Sequence, residues 1–440
     1  MMDPNTPGVG LLMLTMLLAA FAAMTRFNVS QALAMALTSC MFLALQGQTA
    51  EAIVRSSFAH FADIALLFTA VAVPAHMIDR SGAFRWVQGT TGAGIGRLGY
   101  ERRGVAEVLF IVAVMVTTYV LAGLMHNVTS ILIMTSLAIR LCDKFRVPSK
   151  YLLCGMLVAS NLGGFSTKWG DTPNIVQARV WGLDNSEFVR EILPINIFLL
   201  SILVGVTVWL TRGAMASSGG GMKALNDNDM AQMVVDLRAE AKFYRTNKRL
   251  LITGLGCLGF FIVGQALFPA YQIAIGAMTI AVAVILDRPS ERLHSLTALG
   301  GETYLVFASI FILAGCVEES WVGHALHAGV RGAGAAPWAI AITGYLGTAF
   351  TEAASWATAA SSAIHPLDSS NAGAWALGAG ICAGSSSLVT AASAGIILSQ
   401  ESRRFRAEGH AISFGTCLPF GLMCSLFMLA SYIVILSVIW

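Results

Sequence analysis

The sequence predicts an all-α polytopic membrane protein made of two inverted-topology repeats, each with five spans, a re-entrant hairpin and a broken helix. Three observations predict it. Of the 440 residues, 56% are hydrophobic and only 12% charged, against about 25% charged in a soluble domain. Residues 9–24, 192–210 and 412–440 form apolar stretches on the scale of the roughly 20 residues that cross a bilayer. The same order of apolar segments also occurs twice, on either side of one polar stretch. A soluble enzyme, a disordered chain and a nucleic-acid binder are excluded, because so little charge could not cover a soluble surface. The net charge of +3 says little, since placement of charge matters more than its sum. The eight cysteines show no CxxC spacing and lie mostly in apolar runs, so neither a disulfide framework nor a zinc site is expected. Met1-Met2-Asp3-Pro4 has no basic stretch, and a cleaved signal peptide is not expected.

In the first half, residues 1–211, spans are expected near 8–25, 28–47 and 60–79. A short amphipathic piece at 82–103 contains Gly92, Gly94, Gly96 and Gly99. No strand precedes it, so a nucleotide loop is disfavoured, and it reads as an interfacial helix and hinge. Two long apolar segments, 104–142 and 150–180, lead to a span at 192–212. Residues 212–249 contain Ser217-Ser218-Gly219-Gly220-Gly221 and then mixed charge, which reads as a cytoplasmic linker followed by a surface helix. The second half, 250–440, repeats the order. Spans near 250–268, 270–286 and 303–320 precede a short piece at 321–336. Long segments at 337–367 and 373–401 precede a span at 412–438.

The long segments carry the information. Polar or small residues interrupt each of them: His126-Asn127, Gly163 to Asn174, Glu352, and Gly384 to Ser393. Segments 104–142 and 337–367 read as re-entrant hairpins, and 150–180 and 373–401 as spanning helices broken midway. Five crossings per half is odd, so the halves are inverted. The blocks align weakly: Thr129, Thr135 and Ser136 with Ser355, Ser361 and Ser362, and Gly164 and Thr167 with Gly384 and Ser387. With the N-terminus outside, 22 of the 27 Lys and Arg fall inside and three outside, as the positive-inside rule requires. Both termini are then extracytoplasmic and the chain is multi-pass in the cytoplasmic membrane.

Unwound backbone survives in a membrane only inside protein or facing a watery cavity. Inverted repeats with discontinuous helices are the recurring design of secondary transporters. No Walker A motif occurs, so an ion gradient rather than ATP is the expected energy source. The run Ala159-Ser160-Asn161-Leu162-Gly163-Gly164-Phe165-Ser166-Thr167-Lys168-Trp169-Gly170-Asp171-Thr172-Pro173-Asn174 resembles the Gly-Gly…Thr…Gly-Asp-Pro-Pro-Asn signature of the ion transporter superfamily. The similarity is to its branch of arsenite permeases, P proteins and D-type sodium/proton antiporters, whose architecture the divalent-anion/sodium symporters share. Gly123 to Thr129 resembles that branch's hairpin tip. Phe350-Thr351-Glu352-Ala353-Ala354 would be the second tip, and Ala383 to Ser387 with Ala392 to Gly395 the second break. The resemblance implies a scaffold and a transport domain, a homodimer and an elevator motion. Four positions depart from the pattern: His126 and Glu352 stand at the tip acids, Ala353 at the second-tip Asn, and Lys168 where an apolar residue is usual.

A lysine within the membrane is a functional-site candidate: Lys168 could attract an anion, replace a coupling Na⁺, or snorkel to an interface. His126 could titrate, bind an anion or cap its turn. Glu352 could carry a proton or pair with Lys168 or His126. Asp171 reads first as the N-cap of a half-helix with Pro173 in its first turn. Asn127 and Asn174 can each offer a carbonyl to a cation and an NH₂ to an anion. Thr129, Gly164, Ser166, Thr167 and Thr351 complete the first break and the two tips. Ser385, Ser386, Ser387, Thr390 and Ser393 give the second break hydroxyls without charge. His324, His327, Glu318 and Glu319 read as solvated surface rather than as metal ligands.

The expected function is secondary active transport of a small anion or weak acid (a carboxylate, sulfonate or oxyanion) coupled to H⁺ or Na⁺. No other cofactor and no nucleic-acid partner are expected. Na⁺/H⁺ exchange or arsenite efflux is the alternative. A membrane-embedded enzyme is disfavoured because Ser361, Ser362 and His365 lack a third partner, and a channel is the remaining option.

Overall fold

A computed structural model describes residues 6–26, 31–243, 247–268, 271–297, 300–333, 336–351, 353–405 and 409–439. Every regular element among them is helical. The first half runs α1 (Pro7–Arg26), α2 (Gln31–Gln46), α3 (Ala50–Arg80), α4 (Ala83–Met125), α5 (Asn127–Phe145), α6 (Ser149–Phe165), α7 (Thr172–Trp181), the short α8 (Asn185–Glu187) and α9 (Leu193–Ser218). A surface helix, α10 (Asp227–Phe243), precedes α11 (Lys248–Leu267), α12 (Gln272–Leu286), α13 (Arg292–Leu296), α14 (Gly301–Glu318) and α15 (Trp321–Gly332). The chain then forms α16 (Pro337–Phe350), α17 (Ala353–Ile364), α18 (Asn371–Ser385), α19 (Ser393–Arg403) and α20 (Phe414–Ile439). Among the described residues, five helices are long and apolar enough to cross a membrane: α3, α4 from Gly89, α9 with its lead-in, α11 and α20. The chain is a polytopic, all-helical membrane protein.

The helices sort by what they pack on. α3 lies against α11, α12 and α14, and α2 against α14. Gln46 donates to the Cys316 carbonyl, and the Thr69 hydroxyl meets Tyr304 at 2.7 Å. A second group has two matching pairs: α4 on α6, and α16 on α18. α5 packs on α19, and α17 on α7. Glycine makes the closest of these contacts possible. A β-carbon on Gly163 would overlap the Tyr119 carbonyl oxygen, and one on Gly380 the Ala341 carbonyl oxygen.

Residues 83–101 form a helix of their own, as expected for the short piece at 82–103, joined at a kink to the helix that follows. They are the first part of α4, which continues to Met125 through a kink at Arg102 (φ −142°, ψ 71°). The charged run Glu101-Arg102-Arg103 explains the bend, since Arg103 pairs with Asp227 and the Gly104 carbonyl accepts from Arg212 at 2.9 Å. The glycine run there is a groove for a helix. Leu237, Val234 and Met230 of α10 lie against Gly92, Gly96 and Gly99, while Gly94 faces open space. The spacing of these three glycines puts them on one helical face, and Leu237 and Met230 are fully buried there.

Past the end of α12, Arg80 forms two hydrogen bonds to Asp287 at 2.9 and 3.0 Å, and Ser295 donates to the same carboxylate at 2.7 Å. Burial alone would push the Asp287 carboxyl up. Hydrogen bonds from Arg80, Ser295 and the Arg288 amide outweigh it and hold the group below its ordinary value. A lowered carboxyl pKa means stability that is complete above the unfolded carboxylate range, near 4, and lost as pH falls through the folded value.

Two predictions follow from this packing. Thermal unfolding in detergent should show Gly163→Ala and Gly380→Ala destabilised by about 1–3 kcal/mol through overpacking. Gly205→Ala in α9, which has open space around it, should be neutral or stabilising; equal behaviour of all three would contradict the packing. Asp287→Asn should cost about 3 kcal/mol at pH 7, as breaking a buried ion pair does. It should also flatten the loss of melting temperature that wild type shows on acidification below pH 4.

Candidate functional site

The site forms where helices stop. α4 ends at Met125, and the next residue, His126, takes φ 82°, a conformation rare for residues with a β-carbon and costing about 1–3 kcal/mol. α5 starts at Asn127. α6 ends at Phe165 and α7 restarts at Thr172 behind an extended Asp171 (φ −149°, ψ 150°). The Asp171 carboxylate accepts from the Thr172 amide at 2.8 Å, and Pro173 lies in the first turn, so Asp171 is an N-cap. In the second half α18 ends at Ser385 and α19 restarts at Ser393 behind an extended Ala392 (φ −141°, ψ 145°).

The two halves join tip to break in the same way. The Asn127 amide donates to the Gly170 carbonyl at 2.9 Å, and the Ala353 amide to the Ala391 carbonyl at 3.2 Å. Gly170 and Ala391 each lie two residues before the restarting helix, and a tyrosine eight residues before each donor, Tyr119 and Tyr345, stands at the matching place on the preceding helix.

Side chains link these ends into one cluster. The Asn127 NH₂ donates to Asp171 at 2.9 Å and, more weakly, to the Asn161 carbonyl oxygen at 3.4 Å. The Asn161 NH₂ donates to Ser386 in the second break at 3.1 Å. The His126 Nε2 sits 3.1 Å from the Thr172 hydroxyl, while Nδ1 accepts from the Val128 amide at 3.4 Å. With Nδ1 accepting, the neutral ring carries its proton on Nε2 and donates to Thr172. In the first tip and the second break, three buried oxygens have no hydrogen-bond partner among the described residues: Asn127 Oδ1, Thr129 Oγ1 and Thr390 Oγ1. Unsatisfied buried polar atoms are uncommon and call for a reason.

Other residues singled out from the sequence hold the loops in shape. Asn174 donates to the Gly164 and Thr167 carbonyls at 2.8 and 2.7 Å, closing the first break on itself. Thr167 donates to the Gly123 carbonyl at 2.7 Å, tying break to hairpin. Ser166 pairs with Tyr119 at 2.7 Å and with Asn196 at 3.0 Å. Thr351, Ser385, Ser386 and Ser387 donate back to carbonyls three or four residues earlier, and buried Ser393 opens α19. The Lys168 ammonium donates to the Leu183 carbonyl at 3.0 Å, and its amide donates to Asn185 at 3.0 Å. These contacts tie it to the loop beyond α7. Glu352 lies outside the described residues.

The sequence reading passed over several polar residues that the structure places here. Asn161 bridges the two halves, although it stands inside the quoted motif. Tyr432 donates to Asn196 at 2.5 Å, and Asn196 supports Ser166, a polar chain drawn from helices far apart in sequence. Gln177 on α7 is fully buried with both amide atoms unpartnered. A cavity beside His126, lined by Phe68, Val71, Trp169 and Phe261, has only about 40 Å³, room for a few waters.

Comparison gives the chain a family. Residues 12–395 match the citrate transporter family, CitMHS. The chain belongs to this family. CitMHS lies within the ion transporter superfamily. An uncharacterized transporter of Mycobacterium tuberculosis is 25% identical over 224 residues, half of each chain. The chain thus spans about half the length of the mycobacterial relatives it matches. The magnetosome protein MamN of Paramagnetospirillum magneticum is 25% identical over 408 residues, 88% of this chain and 87% of that one. The human P protein is 32% identical over 77 residues, 16% of this chain and 9% of its own.

Within this CitMHS member, Asp171→Ala removes both the cap of α7 and the anchor of Asn127. It should cost about 1–2 kcal/mol in thermal unfolding. His126→Gly relieves the positive φ and should be at least as stable as wild type; a clearly lower melting temperature would contradict the strain assigned there.

Proposed function

We propose that the protein carries a small carboxylate anion across the cytoplasmic membrane by secondary active transport, driven by a gradient of H⁺ or Na⁺. The observation that carries this reading is the meeting of tip and break in each half, Asn127 with Gly170 and Ala353 with Ala391. It brings the N-terminal ends of α5, α7, α17 and α19 together, with three oxygens of the first tip and second break unpartnered among the described residues. Helix N-termini favour anions, and amide and hydroxyl oxygens can take the coupling cation. The description of the family, citrate transporter, makes citrate the first substrate to try.

In this reading the segments from α4 to α9 and from α16 to α20 are inverted repeats forming a transport domain. α1 to α3 and α11 to α15 form the scaffold, and the protein works as a homodimer by an elevator motion. The equal tyrosine-to-tip spacings support the repeat. The lysine and arginine distribution puts both termini outside, and the ends of α3, α5 and α19 inside. Asn127, Thr129 and Thr390 are the assigned solute or ion contacts, with His126 donating through Thr172. Lys168 serves as a clamp on the loop at 183–185.

Purified protein in proteoliposomes should take up ¹⁴C-citrate saturably under an imposed pH or Na⁺ gradient and show trans-stimulation. No flux across a panel of carboxylates, sulfonates and oxyanions would overturn the reading. Cation-dependent pH changes without anion flux would favour Na⁺/H⁺ exchange. Asn127→Ala should lower the rate at least tenfold, since it removes a buried polar group from the cluster. Lys168→Met should leave KM within twofold while lowering stability slightly; loss of uptake with normal folding would return Lys168 to the site.

A further inference from the structure

A polar cavity lies away from the cluster just described. It has a volume of about 480 Å³, within the range of small-molecule sites. One wall is α3 and α13, with His76, Asp79, His294 and, just past α13, Thr297; the other is α5 and α19, with Ser136, Arg140, Glu401 and, just past α19, Arg404. Ser136 and Arg140 are one helical turn apart on the same face of α5. Along that helix they lie about 14 and 20 Å from Asn127 at 1.5 Å per residue, so the cavity begins where the N-terminal turns of α5 and α19 leave the cluster.

The charges in the cavity divide into used and unused. Glu401 and Arg404 neutralise one another at 2.8 Å. Arg80, beside the cavity, is taken by Asp287. Asp79 is exposed, where water screens its charge. Half-buried Arg140 and the half-buried Ser136 hydroxyl have no partner among the described residues, and the buried His76 Nε2 has none either. The His76 and His294 rings stand 5.0 Å apart on the opposite wall. A guanidinium, a hydroxyl and an imidazole nitrogen left open toward one space suit a carboxylate, which a guanidinium can hold with two parallel hydrogen bonds.

We infer that this cavity is a second binding station for a small carboxylate, with Arg140 and Ser136 as its ligands on α5 and His76 facing them from α3. It rests on the proposed function for its sidedness, as the point that the solute occupies between the central cluster and the cytoplasm.

The test needs no flux. In a Cys40→Ala background, Thr297→Cys, at an exposed position that lines the cavity without being one of its assigned ligands, is modified in everted vesicles by a charged, membrane-impermeant thiol reagent. Citrate alone, without divalent cations, should slow that modification in a saturable way. Adding Arg140→Gln should raise the half-protecting concentration at least tenfold, and Arg140→Lys, which keeps the charge, should restore part of the protection and report on folding. No protection by citrate, or equal protection with and without Arg140→Gln, overturns the station. Protection without proteoliposome flux upholds the station and removes the transport reading. Flux without protection does the reverse.

Discussion

A helix that ends inside a protein leaves backbone donors and acceptors that apolar surroundings cannot satisfy, each at a cost of several kcal/mol in hydrocarbon. Here several such ends meet, and Asn127 is the residue that reconciles them. Its amide fills the Gly170 carbonyl, its NH₂ takes Asp171, and through Asn161 it reaches Ser386 in the other half. A carboxamide suits this place because it offers donors and an acceptor without a charge to be desolvated. Its own Oδ1 is left over. A polar network with one open position is costly as structure and useful as a site.

The glycines follow from the same constraint. Helices can end at one buried point only if their backbones approach closely, which Gly163 allows against Tyr119 and Gly380 against Ala341. Close backbone contact leaves little room for side chains at the crossing, and loop-forming residues such as Asn174 and Thr167 then do the local bonding. The hydroxyls of the second break mostly return to their own helix. Among the described residues of the cluster, the acidic one, Asp171, is occupied as a cap.

Much of this could be read from residue order. Glycine, aspartate and proline interrupting an apolar run have few structural explanations, so the break at Gly164 to Asp171 was legible. Asn161 was not, although it stood in the same motif, because a single asparagine in an apolar helix gives no hint of which distant residue it faces. Tyr119, Asn196 and Tyr432 escaped for the same reason: their chain is assembled by packing. Lys168 attracted the functional reading because lysine is expensive in a membrane, and the loop carbonyl to which its ammonium donates, 15 residues on, could not be foreseen from the motif. The glycines of residues 92–99 suggested a hinge because periodicity within one segment cannot name the segment that fills it.

The helix that fills that glycine run changes what the connection between the halves is. α10 lies in the groove of Gly92, Gly96 and Gly99, with Leu237 and Met230 fully buried against the first half. The segment called a linker is therefore partly an organ of the domain it leaves. A gene cut in two for co-expression should keep α10 on the upstream fragment, with the break after Phe243. Cutting at Gly219–Gly221 would hand the downstream fragment an orphaned greasy helix and leave a bare trough on the other.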